Sequence, residues 1–412
     1  MKINQEIINI IQKRLLITIG IILFIRMGTF LPVPGINHSE LTFYIKSHSA
    51  TRNLVNTFSG GDTFVIGLFT LNIFPYINAT ILIQILTGFL PELSKMQKEG
   101  DLEGRRFINR LTRFITIVWA VIQSTTLSFY LKQVLFDWSY SLAFEIIVWL
   151  TTGAMIVLWL SELITDYGLG NGSSLLIYTN IISNLPNLSK KIISENIENL
   201  TITSNIVVIL LIFVSLYGIV FLQEGVKPIP LISSKQLNQT SLQNSVTDNN
   251  YLPLRFNQAG VMPIILTTAL LVVPNYIIQL GLLPKINLPF GFIYWISYFG
   301  LILFFSSYYS TLVLNPKDIS EQLQKMAVSI PKIRPGIKTT FYLKQVMNRV
   351  TLIGATMLAT LVTVPNFIES TLSITNINGL GTTSLLILAG VILDLSREVE
   401  NIYYSNIYNN KY

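Results

Sequence analysis

The chain has no cysteine and only two histidines, His38 and His48, in 412 residues. Without a thiol there is no disulfide, no cysteine nucleophile and no thiolate metal site, and two histidines cannot build a multi-histidine centre alone. Charge is equally sparse. Asp, Glu, Lys and Arg make up 12% of the residues against 51% hydrophobic, and the mean hydropathy is +0.56. A water-soluble domain carries about 25% charged residues. No GxxxxGK(S/T) loop is present to cradle a nucleotide, so any phosphate-driven work must come from a partner. Both histidines fall in one external loop, which removes an intramembrane serine protease. Met1 to Gln12 shows no small-residue cleavage site ahead of the first apolar run, so the first span is expected to act as the insertion signal.

What the chain does have is a series of apolar runs about 20 residues long. They predict ten spans, over Leu15–Leu31, Phe69–Leu90, Phe114–Leu131, Leu142–Ile164, Ser173–Leu185, Ile206–Leu222, Ala259–Gly281, Phe292–Leu314, Val346–Val364 and Gly381–Leu395. The expected fold class is an all-α polytopic membrane protein. With the N-terminus inside, the inside segments collect most of the basic residues, and the outside segments hold Lys46, Arg52, Lys132, Lys190, Lys191 and Lys285. The positive-inside rule then places both ends in the cytoplasm or its equivalent compartment. The net charge of +7 is therefore mostly topological.

Residues 1–185 form one expected half, 186–205 a connection, and 206–412 a second half of opposite orientation. Each half has a proline just inside its second span, Pro75 in IFPYI and Pro263 in VMPII. Matching interruptions point to an inverted repeat with its pathway at the interface. Arg26, Glu145, Glu162 and Asp394 are the charges in or near spans, most of them close enough to an end to snorkel, so a coupled transporter has few mid-membrane groups to use. A passive channel, a small-solute transporter built on an inverted repeat and a scaffold subunit without a pore all remain open on these grounds.

The stretch Phe58 to Pro91 is unusual. A polar, glycine-paired loop leads into an apolar run broken by Asn72, Pro75 and Asn78, which is costly in hydrocarbon unless it faces protein or water. This stretch is expected to line something, and Ile73 and Ile77, one helical turn apart, can present two branched apolar groups to it. On the inside, Lys95–Arg113 and Asn315–Lys344 read as mixed-charge loops, and Ile333-Arg334-Pro335-Gly336 as a turn holding one arginine outward. Gln236–Asn250 is polar and reads as a flexible loop tip.

Taken in order, RMGTFLPVPGI, FSGGDTFVIGLFTLNIFPYINATILIQILT, LWLSELITDYGLGNGSSLLIYTNII, NQAGVMPII, NPKDISEQLQKMAVSIPKIRPG and GTTSLLILAGVILD together resemble the SecY family, the channel subunits of the Sec protein translocase. The resemblance runs from the first span to the last. It implies ten transmembrane helices in two inverted five-helix halves around a central hourglass pore. The waist would be a ring of Ile73, Ile77, Ile177, Ile181, Ile265 and Ile387, an apolar constriction that blocks ions by dewetting. A plug would span residues 58–68, opening with Phe58, Ser59, Gly60, Gly61 and Asp62. The second, third, seventh and eighth spans would form a lateral gate, with Gln84, Gln123 and Asn257 as polar contacts worth about 1 kcal/mol each.

The resemblance also implies that the inside loops 223–257 and 315–344 dock the SecA motor ATPase or a ribosome. Arg334 is the central residue there, with Lys332, Lys338, Arg105 and Arg106 adding attraction to acidic protein or to phosphates. SecE, a SecG-like subunit, signal-sequence-bearing polypeptides and membrane lipid are the other implied partners. No catalytic residue, metal or cofactor is implied, hence no enzymatic step. The loop after the sixth span departs from the bacterial pattern, with SSKQLNQTSLQNSVTDNN in place of a basic cluster, and the tail is short. Heavy use of Ile, Asn and Lys and the trimmed length resemble SecY proteins encoded in algal plastids. That implies the thylakoid membrane of the chloroplast with both termini stromal; the alternative is a bacterial plasma membrane.

Overall fold

Apolar runs become helices here, and the helices Lys2–Phe30, Leu102–Leu131, Ile337–Thr371 and Thr382–Asn409 extend well beyond the runs. The computed structural model describes residues 2–34, 66–90, 92–93, 96, 102–132, 138–183, 202–233, 251–258, 260, 262–264, 266–267, 290–371 and 382–409. The helices are α1 (Lys2–Phe30), α2 (Phe74–Phe89), α3 (Leu102–Leu131), α4 (Tyr140–Tyr167), α5 (172–183), α6 (Ile202–Glu224), α7 (Phe290–Val313), α8 (Pro316–Lys325), α9 (Ile337–Thr371) and α10 (Thr382–Asn409). Among the described residues, Ile8–Phe30, Tyr140–Tyr167, Trp295–Lys325 and Ile337–Pro365 are long and apolar enough to cross a membrane, by length and composition. Leu16, Met27, Phe213 and Tyr217 are exposed large side chains on α1 and α6, which suits lipid rather than water as the surrounding solvent. Most of the seventh expected span lies outside the described residues.

Two expectations need correction. The second span does not run as a helix from Phe69: residues 68–73 form turns and α2 starts at Phe74, with Pro75 in its first turn. Proline is favoured there because that position needs no intrahelical N–H partner, so Pro75 starts the helix rather than interrupting it. The Lys95–Arg113 segment is not a loop throughout, because α3 already begins at Leu102. Phe107, Leu111 and Phe114 keep a helical spacing that the interleaved charges hide from a hydropathy window. The fold also contains strands. The antiparallel pair β1 (Val226–Pro230) and β3 (Tyr251–Arg255) forms a ladder in the loop after α6, and β2 (Ile232–Ser233) pairs with β4 (Val328–Ser329). The flexible tip expected over Gln236–Asn250 lies outside the described residues.

Contacts divide the chain into two units, Met1–Ile193 with Val391–Tyr412, and Ser194–Gly390. The break falls inside the 186–205 connection, while the final residues group with the first unit instead of continuing the second. The core of the first unit joins Val33, Ile66, Leu71, Ala120, Leu127, Ile146, Leu150 and Ala154, with Trp138 and Leu142 packed on it. Ser139 caps α4, its hydroxyl accepting from the Leu142 N–H at 3.2 Å. This supplies one of the partners that a helix start lacks. The segment 66–73 is threaded into this core. The Val33 N–H donates to the Ile66 carbonyl at 3.1 Å and the Leu68 N–H to the Leu31 carbonyl at 2.9 Å.

In the second unit, Ile219, Leu222, Tyr298, Ile302, Leu358, Ala359, Val362 and Leu386 of α6, α7, α9 and α10 form one core with Ile264. A separate cluster lies in the loops. Ile229, Leu254, Leu323, Ile330, Leu343 and Met347 bury their side chains against one another. The β1–β3 ladder, α8 and the first turns of α9 thus share a small hydrophobic core.

Candidate functional site

The first unit assembles two isoleucine pairs on neighbouring elements. Asn72 ends the turns before α2 with φ +47°, a left-handed conformation that asparagine tolerates better than most residues. Its Oδ1 accepts from the Ile73 N–H at 2.8 Å, and the Ile77 N–H donates to the Ile73 carbonyl at 3.1 Å. Ile73 and Ile77 therefore share one face at the start of α2, and both are buried. On α5 the Asn171 carboxamide accepts from the Ser173 N–H at 3.1 Å and from its hydroxyl at 2.7 Å, fixing the helix start. Ile177 and Ile181 then lie one turn apart, both half-buried.

Asn72 Nδ2 donates to Asn180 Oδ1 at 2.9 Å, joining the start of α2 directly to α5. Four of the six expected ring residues thus stand on two elements tied by a hydrogen bond. Ile387 is half-buried in the second unit, and Ile265 lies outside the described residues. So do Phe58, Ser59, Gly60, Gly61 and Asp62 of the expected plug. Ile66, Gly67 and Leu68 at its far end are clamped to Leu31–Val33, so a movable segment must end before Ile66.

Gln84 on α2 and Gln123 on α3 are half-buried in the first unit, and these two helices pack together. Asn257 is half-buried at the end of the β3 arm. Gln123 Oε1 and both polar atoms of the Asn257 side chain are buried with no hydrogen-bond partner among the described residues. Its neighbour Gln258 is anchored by Ser310 Oγ, which donates to Oε1 at 3.1 Å. Buried amides in this condition are unfavourable, which suits groups that find partners in another state.

Two of the four charges near spans, Arg26 and Glu162, are held more firmly than snorkelling would require. Arg26 Nη2 donates to the Thr179 carbonyl at 2.5 Å and to Ser183 Oγ at 2.7 Å, both on α5. Glu162 accepts two hydrogen bonds from Arg113, at 2.9 and 2.8 Å, across α3 and α4. Asp394 lies 3.5 Å from Arg397 one turn along, and Glu145 is exposed. Sequence reading marked Asn72 as a polar break in an apolar run but gave no signal that Asn180 is its partner, because the two ends of the bond are 108 residues apart.

The basic residues of the loops sit on the packed cluster. The turn from Ile330 to Gly336 is pinned by the Ile333 N–H to the Ile330 carbonyl at 3.2 Å, Thr339 Oγ1 to the Arg334 carbonyl at 2.9 Å, and Ser320 Oγ to the Gly336 carbonyl at 3.1 Å. Lys332 takes φ +64° and Gly336 φ +98°. The side chains of Lys332, Arg334 and Lys338 are all exposed. Beside them Ile337 and Phe341 expose large apolar groups one turn apart on α9. In the first unit Arg106 is exposed at the start of α3, and the Arg105 side chain lies outside the described ones. This platform, loops packed on a shared hydrophobic core, was not foreseen from the sequence.

A family model for SecY matches residues 67–396. The chain belongs to the SecY family. The protein translocase subunit SecY of Trieres chinensis is 63% identical over 409 residues, covering 96% of this chain and 96% of that protein. SecY of Guillardia theta is 43% identical, with 97% and 96% covered, and SecY of Synechocystis sp. is 39% identical, with 97% and 93% covered. Among solved structures, a SecY channel described for the plug domain that stabilises its closed state superposes with a TM-score of 0.70. The match covers 97% of this chain and 94% of that one at 17% identity. The channel of a canine ribosome complex from the endoplasmic reticulum gives 0.64, with 97% and 94% covered at 16% identity. The SecY fold, an all-α polytopic membrane architecture, is thus shared along nearly the whole chain.

Proposed function

We propose that this chain is the central protein-conducting channel subunit of a Sec translocase, moving unfolded polypeptides across a membrane and releasing hydrophobic segments into lipid. The observation that carries the reading is the pair of isoleucine doublets on α2 and α5, joined by the Asn72–Asn180 bond in a chain of the SecY family. Ile265 and Ile387 complete the ring. An apolar waist excludes hydrated ions by dewetting yet yields around a passing chain, because dispersion contacts are non-directional. Residues 58–65 act as the plug over it. Gln84, Gln123 and Asn257 serve the lateral gate, where the Gln123 and Asn257 amides find polar partners as signal sequences leave. The relatives named above are translocase subunits and give no support to a small-solute transporter.

The platform is the docking surface for the SecA motor or a ribosome, with Arg334 at its centre and SecE clasping the two halves. The canine relative seen with a ribosome supports the second partner. The algal relatives support a plastid membrane, and the basic residues of the inside segments support stromal termini; the thylakoid is the membrane assigned here over a bacterial plasma membrane. The decisive experiment reconstitutes the chain with SecE in liposomes, adds SecA and ATP, and measures a signal-bearing precursor protected from protease. Protected precursor that depends on ATP is expected; saturable solute uptake without protected precursor would sink the reading.

Two substitutions separate docking from conduction. Arg334→Glu is expected to weaken SecA binding at least about tenfold, since it reverses an exposed charge at the contact. Leu343→Ala removes a fully buried side chain from the platform core, at a cost of about 2–5 kcal/mol. It should weaken binding similarly, by loosening the mount. Binding isotherms with purified SecA check both. A normal isotherm for either would move the docking site elsewhere.

A further inference from the structure

Asn72 and Asn180 are not ring residues, yet each stands one position before one, Ile73 and Ile181. Both are buried, where an apolar side chain would suit the surroundings better. Both polar atoms of the Asn72 side chain are engaged. Asn72 Nδ2 reaches Asn180 Oδ1 at 2.9 Å while its Oδ1 holds the Ile73 N–H at 2.8 Å, and the backbone accepts a left-handed φ of +47° to bring it there. Beside Asn180, the Thr179 carbonyl and Ser183 Oγ take hydrogen bonds from Arg26 of α1 at 2.5 and 2.7 Å. A cation at the carbonyl end of α5 also suits the helix dipole. One polar chain therefore runs from α1 through the last turn of α5 to the turn just before α2, alongside both isoleucine doublets.

We infer that the Asn72–Asn180 hydrogen bond is a latch that positions the Ile73–Ile77 doublet against Ile177–Ile181 in the sealed channel and sets how readily the waist dilates, with Arg26 holding α5 in register for it. The inference rests on the waist proposed above. Its physics differs from that of apolar packing. A hydrogen bond is satisfied in one register only, so it defines the closed geometry sharply. When the waist opens and fills with water, both amides find water partners, so the bond can be released without leaving orphaned groups. In the membrane such a bond is weak enough to be reversible. Asn72, Asn180 and Arg26 are positioning residues: the isoleucines make the seal.

The test compares Asn72→Gly, Asn180→Leu and their double variant with wild type and with a waist control, Ile73→Asn plus Ile181→Asn. All are purified with SecE and recorded in planar bilayers. Glycine accepts φ +47° without strain, so the first variant removes the latch and keeps the backbone. Each single variant is expected to raise the open fraction roughly threefold to tenfold, with the double variant no leakier than the larger single. That non-additivity marks a shared bond and would not follow from general loosening. If both singles stay sealed while the waist control conducts, the latch is wrong and the waist stands. Additive leaks likewise overturn the latch. If the waist control is silent too, the waist reading fails and takes the latch with it.

Discussion

Ile73→Asn combined with Ile181→Asn is expected to convert a silent channel into one that conducts ions. Both residues lie on the elements joined by the Asn72–Asn180 bond, and Ile73 is among the most completely buried side chains of the protein. A waist of isoleucine excludes water because its surface offers no hydrogen bonds, and an ion stripped of water faces a barrier of many kcal/mol. Two carboxamides at that level give water partners on opposite elements, so the constriction wets and the barrier collapses. The expected change is from no resolved openings to wide, long-lived ones in planar bilayers. Asparagine at a buried site can also unfold the protein, so the variants are compared with wild type for SecE co-purification and monodispersity. Folded variants that remain silent would place the waist on other residues.

Gly153→Ala should be nearly as damaging, for a reason that lies outside the pore. A Cβ at Gly153 would sit 2.0 Å from the Leu68 carbonyl oxygen and 2.9 Å from its carbon. These are backbone atoms, so no rotamer change relieves the clash, and α4 must retreat or the 66–73 segment must shift. Overpacking of this kind costs about 1–3 kcal/mol and occasionally more; a backbone collision belongs at the upper end, at least about 3 kcal/mol. Gly20 supplies the contrast. It lies within α1 with nothing inside 4 Å of its added Cβ, so Gly20→Ala should stabilise by about 0.5–1 kcal/mol through helix propensity. Thermal unfolding of the detergent-solubilised complex reads both. Equal midpoints for the two variants would show that α4 does not depend on that close approach. Because Leu68 leads directly to Ile73, a partly folded Gly153→Ala protein should leak as well.

These two residues show where sequence reading succeeded and failed. Ile73 and Ile77 were legible because i and i+4 on any helix share a face, a local rule that needs no partner. Their helix was misread at its start, since Pro75 in an apolar run looks like an interruption until the turns of residues 68–73 are seen. Gly153 carried no signal at all. A glycine amid apolar residues is common in membrane helices, and only the position of Leu68, 85 residues earlier in the chain, makes it indispensable. The charged start of α3 was missed because a hydropathy window averages away an amphipathic extension. The β1–β3 ladder was missed because two five-residue strands with prolines at Pro228 and Pro253 look like loop.

The sequence by itself determined the solvent, the helical class, the order of spans and the family, since all of these follow from composition, periodicity and motifs in succession. It also marked Arg334 as an outward residue, because Ile-Arg-Pro-Gly encodes its turn locally. Only the tertiary structure decided that Asn72 finds Asn180, that Arg26 braces α5, that Gly153 admits Leu68, and that the loops after α6 and α7 share one core around Leu343. Each of those depends on residues far apart in the chain arriving at van der Waals or hydrogen-bonding distance. Pattern along a chain fixes which face a side chain takes. Which side chain it meets is settled by close packing among all the elements at once.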